Sequence, residues 1–133
     1  MKKNIDSVLK MMDLYFSSFS FQQKKDKMGE MPLTINYNIE HQQNDADSSI
    51  YRVIITTTIN DDDERIKLEV VATGVFKIDD MTIDDSLRDS IINFNTVAIM
   101  FPYIRSQISI LTTQPGLMPI QIPIIDVNKL VKA

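Results

Sequence analysis

The spacing of apolar residues changes along this chain, and the changes divide it into three kinds of segment. Up to Ile78 apolar residues fall in short strand-like runs, one of which alternates at every second position. Beyond Asp79 they recur with the period of a helix, and beyond Gln114 prolines interrupt both patterns. In "LTINYNIE" (33–40) Leu33, Ile35, Tyr37 and Ile39 alternate with Thr34, Asn36, Asn38 and Glu40, as in a strand with one wet face. "IYRVIITTTI" (50–59) and "IKLEVVATGVFKI" (66–78) are rich in the β-branched residues that suit a pleated surface. Gly74 predicts a bulge or bend within the second. "LYFSSFSF" (14–21) reads as a first strand. The connections at 41–49 and 60–64 are polar, the second short enough for a hairpin. Four consecutive strands joined by polar turns predict an antiparallel sheet.

"DDSLRDSIINF" (84–94) opens with carboxylates, which the dipole of a helix favours at its amino end. From about 95 to 113, a rotation of about 100° per residue puts Val97, Phe101, Ile104, Ile108 and Leu111 on one narrow stripe. Ile99, Tyr103 and Ile110 fall nearly opposite. Arg105, Ser109 and Thr112 share one flank, and Gln107 shares the other with Met100. A helix apolar on two opposite faces is expected between two layers. One layer is this chain's own sheet; the other is expected to be a second subunit, with Ile99, Tyr103 and Ile110 at the interface. Pro102 either kinks this helix near Ala98 or sits at its first turn. "PGLMPIQIPII" (115–125) fits no regular element: Pro115-Gly116 signals a turn, and Pro119 and Pro123 force extended geometry before them. "DVNKLVKA" (126–133) reads as a short closing helix with Asp126 as its cap. Strands followed by helices predict an α+β fold with helices on one sheet face.

The 133 residues predict one domain over 1–133, with residues 1–13 either disordered or an extended amino-terminal arm. No run approaches the ~18 apolar residues of a membrane span. The start "MKKNID" introduces no continuous apolar core or cleavage site of a signal peptide, so a cytoplasmic protein is the simplest expectation. Cysteine is absent, and with it disulfides and thiolate chemistry. A net charge of −4 disfavours nucleic acid as a partner. The one basic cluster, Lys24, Lys25 and Lys27, is flanked by Asp26 and Glu30 and reads as a solvated loop. His41, the only histidine, falls in a predicted turn with nothing marking a nucleophile beside it. Neither a phosphate-binding loop nor a dinucleotide fingerprint is present. The acidic groups at 61–64, 79–80 and 84–85 lack the calcium-loop pattern and read as solvated turns and a helix start. No catalytic residues, cofactor or metal are expected. Methionine is plentiful, an adaptable side chain for cores and for surfaces that accept varied partners. Met100 reads as core; for Met118 core and groove both stay open.

"GVFKI" (74–78) and "FNTVAIMFPYIRSQISILTTQPGLMPIQIPIIDVNKLV" (94–131) resemble the SecB family of protein-export chaperones. The resemblance rests on a Phe-Pro-Tyr-x-Arg helix core, here Phe101, Pro102, Tyr103 and Arg105, followed by an arm with Gly116, Pro119 and Pro123. "LYFSSFSF" looks like the family's first-strand motif, so the resemblance spans about Leu14 to Val131. It implies a four-stranded antiparallel sheet with helices on one face, assembled as a dimer of dimers, a homotetramer with helices sandwiched between sheets. It also implies an ATP-independent holdase that binds unfolded polypeptides in apolar grooves for protein export and translocation. Phe19, Phe21, Tyr37, Phe76, Tyr103, Leu117, Met118, Ile120 and Ile122 would cover or line such a groove, the proline-rich arm acting as an extended flap; filling the core is the plain alternative for each. The resemblance further implies docking of the SecA motor on acidic residues of the open sheet face. At the matching positions stand Ser18, Gln22 and Glu69, so only Glu69 keeps the charge. The chain also stops at Ala133, short of the polar tail of export members. Some SecB-like proteins instead protect an antitoxin or act alone, and an adaptor that keeps the fold without a groove is a further reading.

Overall fold

The computed structural model describes residues 8–24, 32–63, 65–79, 83–115 and 119–122. Four strands, β1 (Leu9–Gln23), β2 (Leu33–Gln43), β3 (Ile50–Asp61) and β4 (Ile66–Ile78), form one antiparallel sheet in the order β1-β4-β3-β2. Successive side chains of a strand point to opposite faces, and this two-residue period separates the two sides of the sheet. Val53, Ile55 and Ile59 of β3 and Leu68, Val70, Ala72 and Phe76 of β4 point to one side and are buried. Arg52, Asn60, Lys67 and Glu69 point to the other and are exposed. On β2 the apolar set Leu33, Ile35, Tyr37 and Ile39 is only half-buried, as expected of an edge strand.

Two sequence expectations about the sheet need correction. β1 begins at Leu9 and not at Leu14, with Leu9, Lys10, Met11 and Asp13 paired with β4. Gly74 is not a bulge, because it stays in register between Leu14 of β1 and Val53 of β3. The register shifts fall in β1 instead, between Met11 and Asp13 and between Phe16 and Ser18. Gly74 is small because a Cβ there would lie 2.7 Å from the Phe76 ring and 2.9 Å from the Met100 sulfur.

The β3–β4 turn also differs. Asp61 is buried, not solvated; its carboxylate accepts a hydrogen bond from Arg65 Nε at 2.8 Å and from the Ile66 amide at 3.0 Å. Burial pushes this carboxyl up, but the Ile66 amide and the Arg65 donors outweigh it and hold it below the usual carboxylate range.

The helical layer runs without a break through α1 (Asp85–Ser90), a π-helical turn (Ile91–Asn95) and α2 (Thr96–Leu111). Asp84 caps it, its side chain accepting the Leu87 amide at 2.7 Å. In the π turn the Thr96 amide reaches back to the Ile91 carbonyl, and the Thr96 hydroxyl donates to the Ile92 carbonyl at 2.5 Å. The extra residue re-phases the helix so that Ile91 and Ile92 share the core with Val97, Met100, Phe101, Ile104 and Ile108. Pro102 sits inside α2, not at its first turn, and withholds the amide that would bond the Ala98 carbonyl. α2 lies over β4 and β3, with Phe101 meeting the Tyr37 ring at a centroid distance of 5.7 Å.

Candidate polypeptide-binding surface

The inner stripe of α2 is closed: Val97, Ile104 and Ile108 have no solvent exposure. Its outer stripe is open, with Ile99, Tyr103 and Ile110 exposed at 36%, 49% and 65%. On the same side of the sheet as the helix, but beyond its cover, Phe19 of β1 is 52% exposed and Phe21 is half-buried against the core. Scattered apolar exposure is ordinary on a surface, but aromatic and aliphatic groups along a helix face and a sheet edge are a surface suited to apolar segments of another chain.

The flank between the two stripes has a defined partner. Arg105 Nε donates to the Ile122 carbonyl at 2.8 Å, and Ser109 Oγ donates to the Ile120 carbonyl at 3.1 Å. The Thr112 hydroxyl donates to the Ile108 carbonyl and accepts the Ile120 amide, both at 2.8 Å. These bonds hold residues 119–122 as a strap along α2, with Ile122 buried in the core and Ile120 packed against it. Arg105 also stands near Tyr37, whose phenol is pushed up by burial and drawn part-way back by the Arg105 charge. His41 lies on the helix side of β2; burial pulls its pKa down, partly offset by a hydrogen bond to the Ile92 backbone.

The opposite sheet face carries Tyr15, Ile54, Val71 and Val75, and is polar toward the end that holds the β3–β4 turn. Ser20, Gln22, Thr58, Asn60, Lys67 and Glu69 border a shallow depression across β1, β4 and β3. Glu69 pairs with Ser20 and Thr58 on the neighbouring strands. Among the described residues there is no group of three or more His, Asp or Glu able to hold a metal ion, and no helix long and apolar enough to cross a membrane.

The model of the family described as preprotein translocase subunit SecB matches residues 2–133 of the sequence. The chain belongs to the SecB family. A SecB-like chaperone of Mycobacterium tuberculosis, Rv1957, solved in complex with a ChAD peptide from the antitoxin HigA1, has the same fold. The two superpose with a TM-score of 0.74 at 12% identity, over 91% of this chain and 92% of that one. An uncharacterized protein of Methanocaldococcus jannaschii, MJ0357, is 28% identical over 106 residues, covering 78% of this chain and 67% of its own.

The residues that the SecB resemblance implicates are dispersed. Phe19 and Tyr103 are exposed, Phe21, Tyr37 and Ile120 are half-buried, and Phe76 and Ile122 lie within the protomer's core. Leu117 and Met118 lie outside the described residues, as does the closing helix expected after Asp126. Ile99, Tyr103 and Ile110 share the outer face of α2, and Glu69 lies on the open sheet face. Sequence reasoning missed the roles of Arg105, Ser109 and Thr112. Their i, i+4, i+7 spacing put them on one flank, which was the available signal.

Proposed function

We propose that this SecB-family protein is a cytoplasmic, ATP-independent holdase that binds extended, non-native polypeptides, a binding protein and not an enzyme. The observation that carries the reading is the apolar surface left outside a closed core: Phe19 stands 52% exposed at the sheet edge, and Ile99, Tyr103 and Ile110 stand exposed on the outer face of α2. Such a face is stable in water when a second subunit covers it, in line with a dimer of dimers whose helices are sandwiched between sheets. Phe19, Phe21, Tyr37 and Tyr103, joined by Leu117 and Met118, then border the client-binding groove, with Phe76 supporting it from beneath and Ile120 and Ile122 covering it. Aromatic and methionine side chains accept varied sequences, as a holdase requires.

A dedicated client, such as an antitoxin, is the second reading. It is favoured by the open sheet face, where Ser18 and Gln22 stand at two of three positions that carry acids in export members, leaving Glu69 alone for SecA. The similar Mycobacterium tuberculosis chaperone was solved with an antitoxin peptide, which supports the same reading.

The test is a denaturant-unfolded, slow-folding client offered without nucleotide, followed by size exclusion with light scattering. A stoichiometric complex with the oligomer, and none with the folded client, is expected. A stable oligomer that leaves the client to aggregate would overturn the holdase reading in favour of an adaptor. Capture of SecA from the native cell would separate export from a dedicated client.

A further inference from the structure

The strap is held in an unusual way for a surface segment. Arg105, Ser109 and Thr112 bond to the Ile122 carbonyl, the Ile120 carbonyl and the Ile120 amide. Each of these bonds ends on main chain, and none on a side chain of the strap. Between them the strap alternates: Ile120 and Ile122 turn to the core while Gln121 is exposed. This is the recognition pattern of an added β-strand, in which main-chain bonds give affinity and alternate side chains fill pockets. Here helical side chains supply the partner groups that a strand edge normally would. Pro119, at one end, brings no amide of its own, so the strap offers few further groups to the ladder.

Every group that this ladder reads is present in any extended polypeptide. We infer that residues 119–122 are a built-in occupant of a main-chain-reading slot on α2, and that an extended client segment with aliphatic side chains at alternate positions takes that slot by displacing them. The inference rests on the holdase reading and names the client chemistry at that surface. It also gives the strap a consequence for affinity. An occupant on the same chain competes at high effective concentration, so only the fraction of molecules with the strap lifted binds a client, and apparent affinity falls by that fraction. A client that leaves is replaced at once, and the apolar slot is not left open to self-association.

The experiment locks the strap. Ser106 of α2 and Gln121 of the strap are both exposed and border one surface depression. The chain has no cysteine, so Ser106→Cys with Gln121→Cys provides a single addressable pair. The full-length double variant is joined with a cleavable bis-maleimide and titrated with a short fluorescent peptide carrying isoleucine at alternate positions. The locked protein should bind it about tenfold or more weakly, with affinity recovered on cleavage. A second variant, Ile120→Ala, loosens the strap without touching Arg105, Ser109 or Thr112, and should bind the peptide several-fold more tightly. If locking leaves affinity unchanged, the client binds elsewhere and the slot inference is wrong while the holdase reading stands. If Ile120→Ala weakens binding, Ile120 lines the groove and does not compete for it, which also overturns the inference. If the unmodified protein binds neither this peptide nor an unfolded client, both readings fall together.

Discussion

Gly74 lies under α2 with the Phe76 ring and the Met100 sulfur against the place where a Cβ would go. Phe76 is fully buried, whereas Met100 is a flexible side chain, so relaxation relieves the two contacts unequally and some strain survives. Gly74→Ala is expected to destabilise the protein by about 1–3 kcal/mol in urea unfolding, with the sheet register unchanged. Thr57 makes the opposite case. It faces the core between Tyr37 and Val70, fully buried, and its hydroxyl has no hydrogen-bond partner. Thr57→Val keeps the β-branched shape and removes the stranded hydroxyl, so it should raise stability by about 1 kcal/mol, read as a higher urea midpoint. At this scale the sequence shows which residue is small or polar, but not what stands against it. Gly74 therefore reads as a bulge from sequence alone, and Thr57 reads as an ordinary strand residue.

The β3–β4 hairpin is closed by Asp61, through Arg65 Nε and the Ile66 amide. Because its folded pKa lies below the unfolded value, its contribution is fully present above the ordinary carboxylate range and is lost as pH falls through the folded value. The urea midpoint should therefore drop on acidification below about pH 4, and Asp61→Asn should lower it at neutral pH while flattening that part of the profile. A midpoint for Asp61→Asn equal to that of the parent across the range would show that the buried carboxylate does not stabilise the turn. For the helical layer, the sequence carries more. A rotation of about 100° per residue separates the inner and outer stripes of α2 from spacing alone, and both stripes are where the spacing puts them. The π turn at Ile91–Asn95 was not legible, because it answers a packing demand: Ile91 and Ile92 reach the same core as Val97 and Met100. The strap was half legible. The prolines forbid a helix there, but the bonds from Arg105, Ser109 and Thr112 depend on two segments meeting in space.

At the scale of the whole molecule, the exposed outer face of α2 decides what assembly is expected. Ile110→Asp and Tyr103→Asp change residues that are open to solvent in the protomer, so each protomer should keep its fold. In an assembly covering that face, an unpaired carboxylate would be buried, at a cost of several kcal/mol. Sedimentation velocity should then show smaller species with unchanged far-ultraviolet circular dichroism. Variants that remain fully assembled would remove α2 from the interface. Ile104→Asp is the contrasting control: Ile104 has no exposure within the protomer, and this change should unfold it.

The sequence by itself determined the elements of this protein: four strands, a helix with two apolar faces and a proline-interrupted arm. Those follow from the period of apolar residues and from proline geometry, both local properties of the chain. Its family was legible for a related reason, since the Phe101–Arg105 helix core and the prolines beyond it are fixed in linear order. Only the tertiary structure decided the strand order β1-β4-β3-β2, the burial of Asp61, the need for glycine at position 74, and the lacing of Ile120 and Ile122 onto α2. Each of these depends on groups that are distant in sequence coming within a few ångströms. Hydrogen bonding and close packing act at that range, and no periodicity along the chain encodes it.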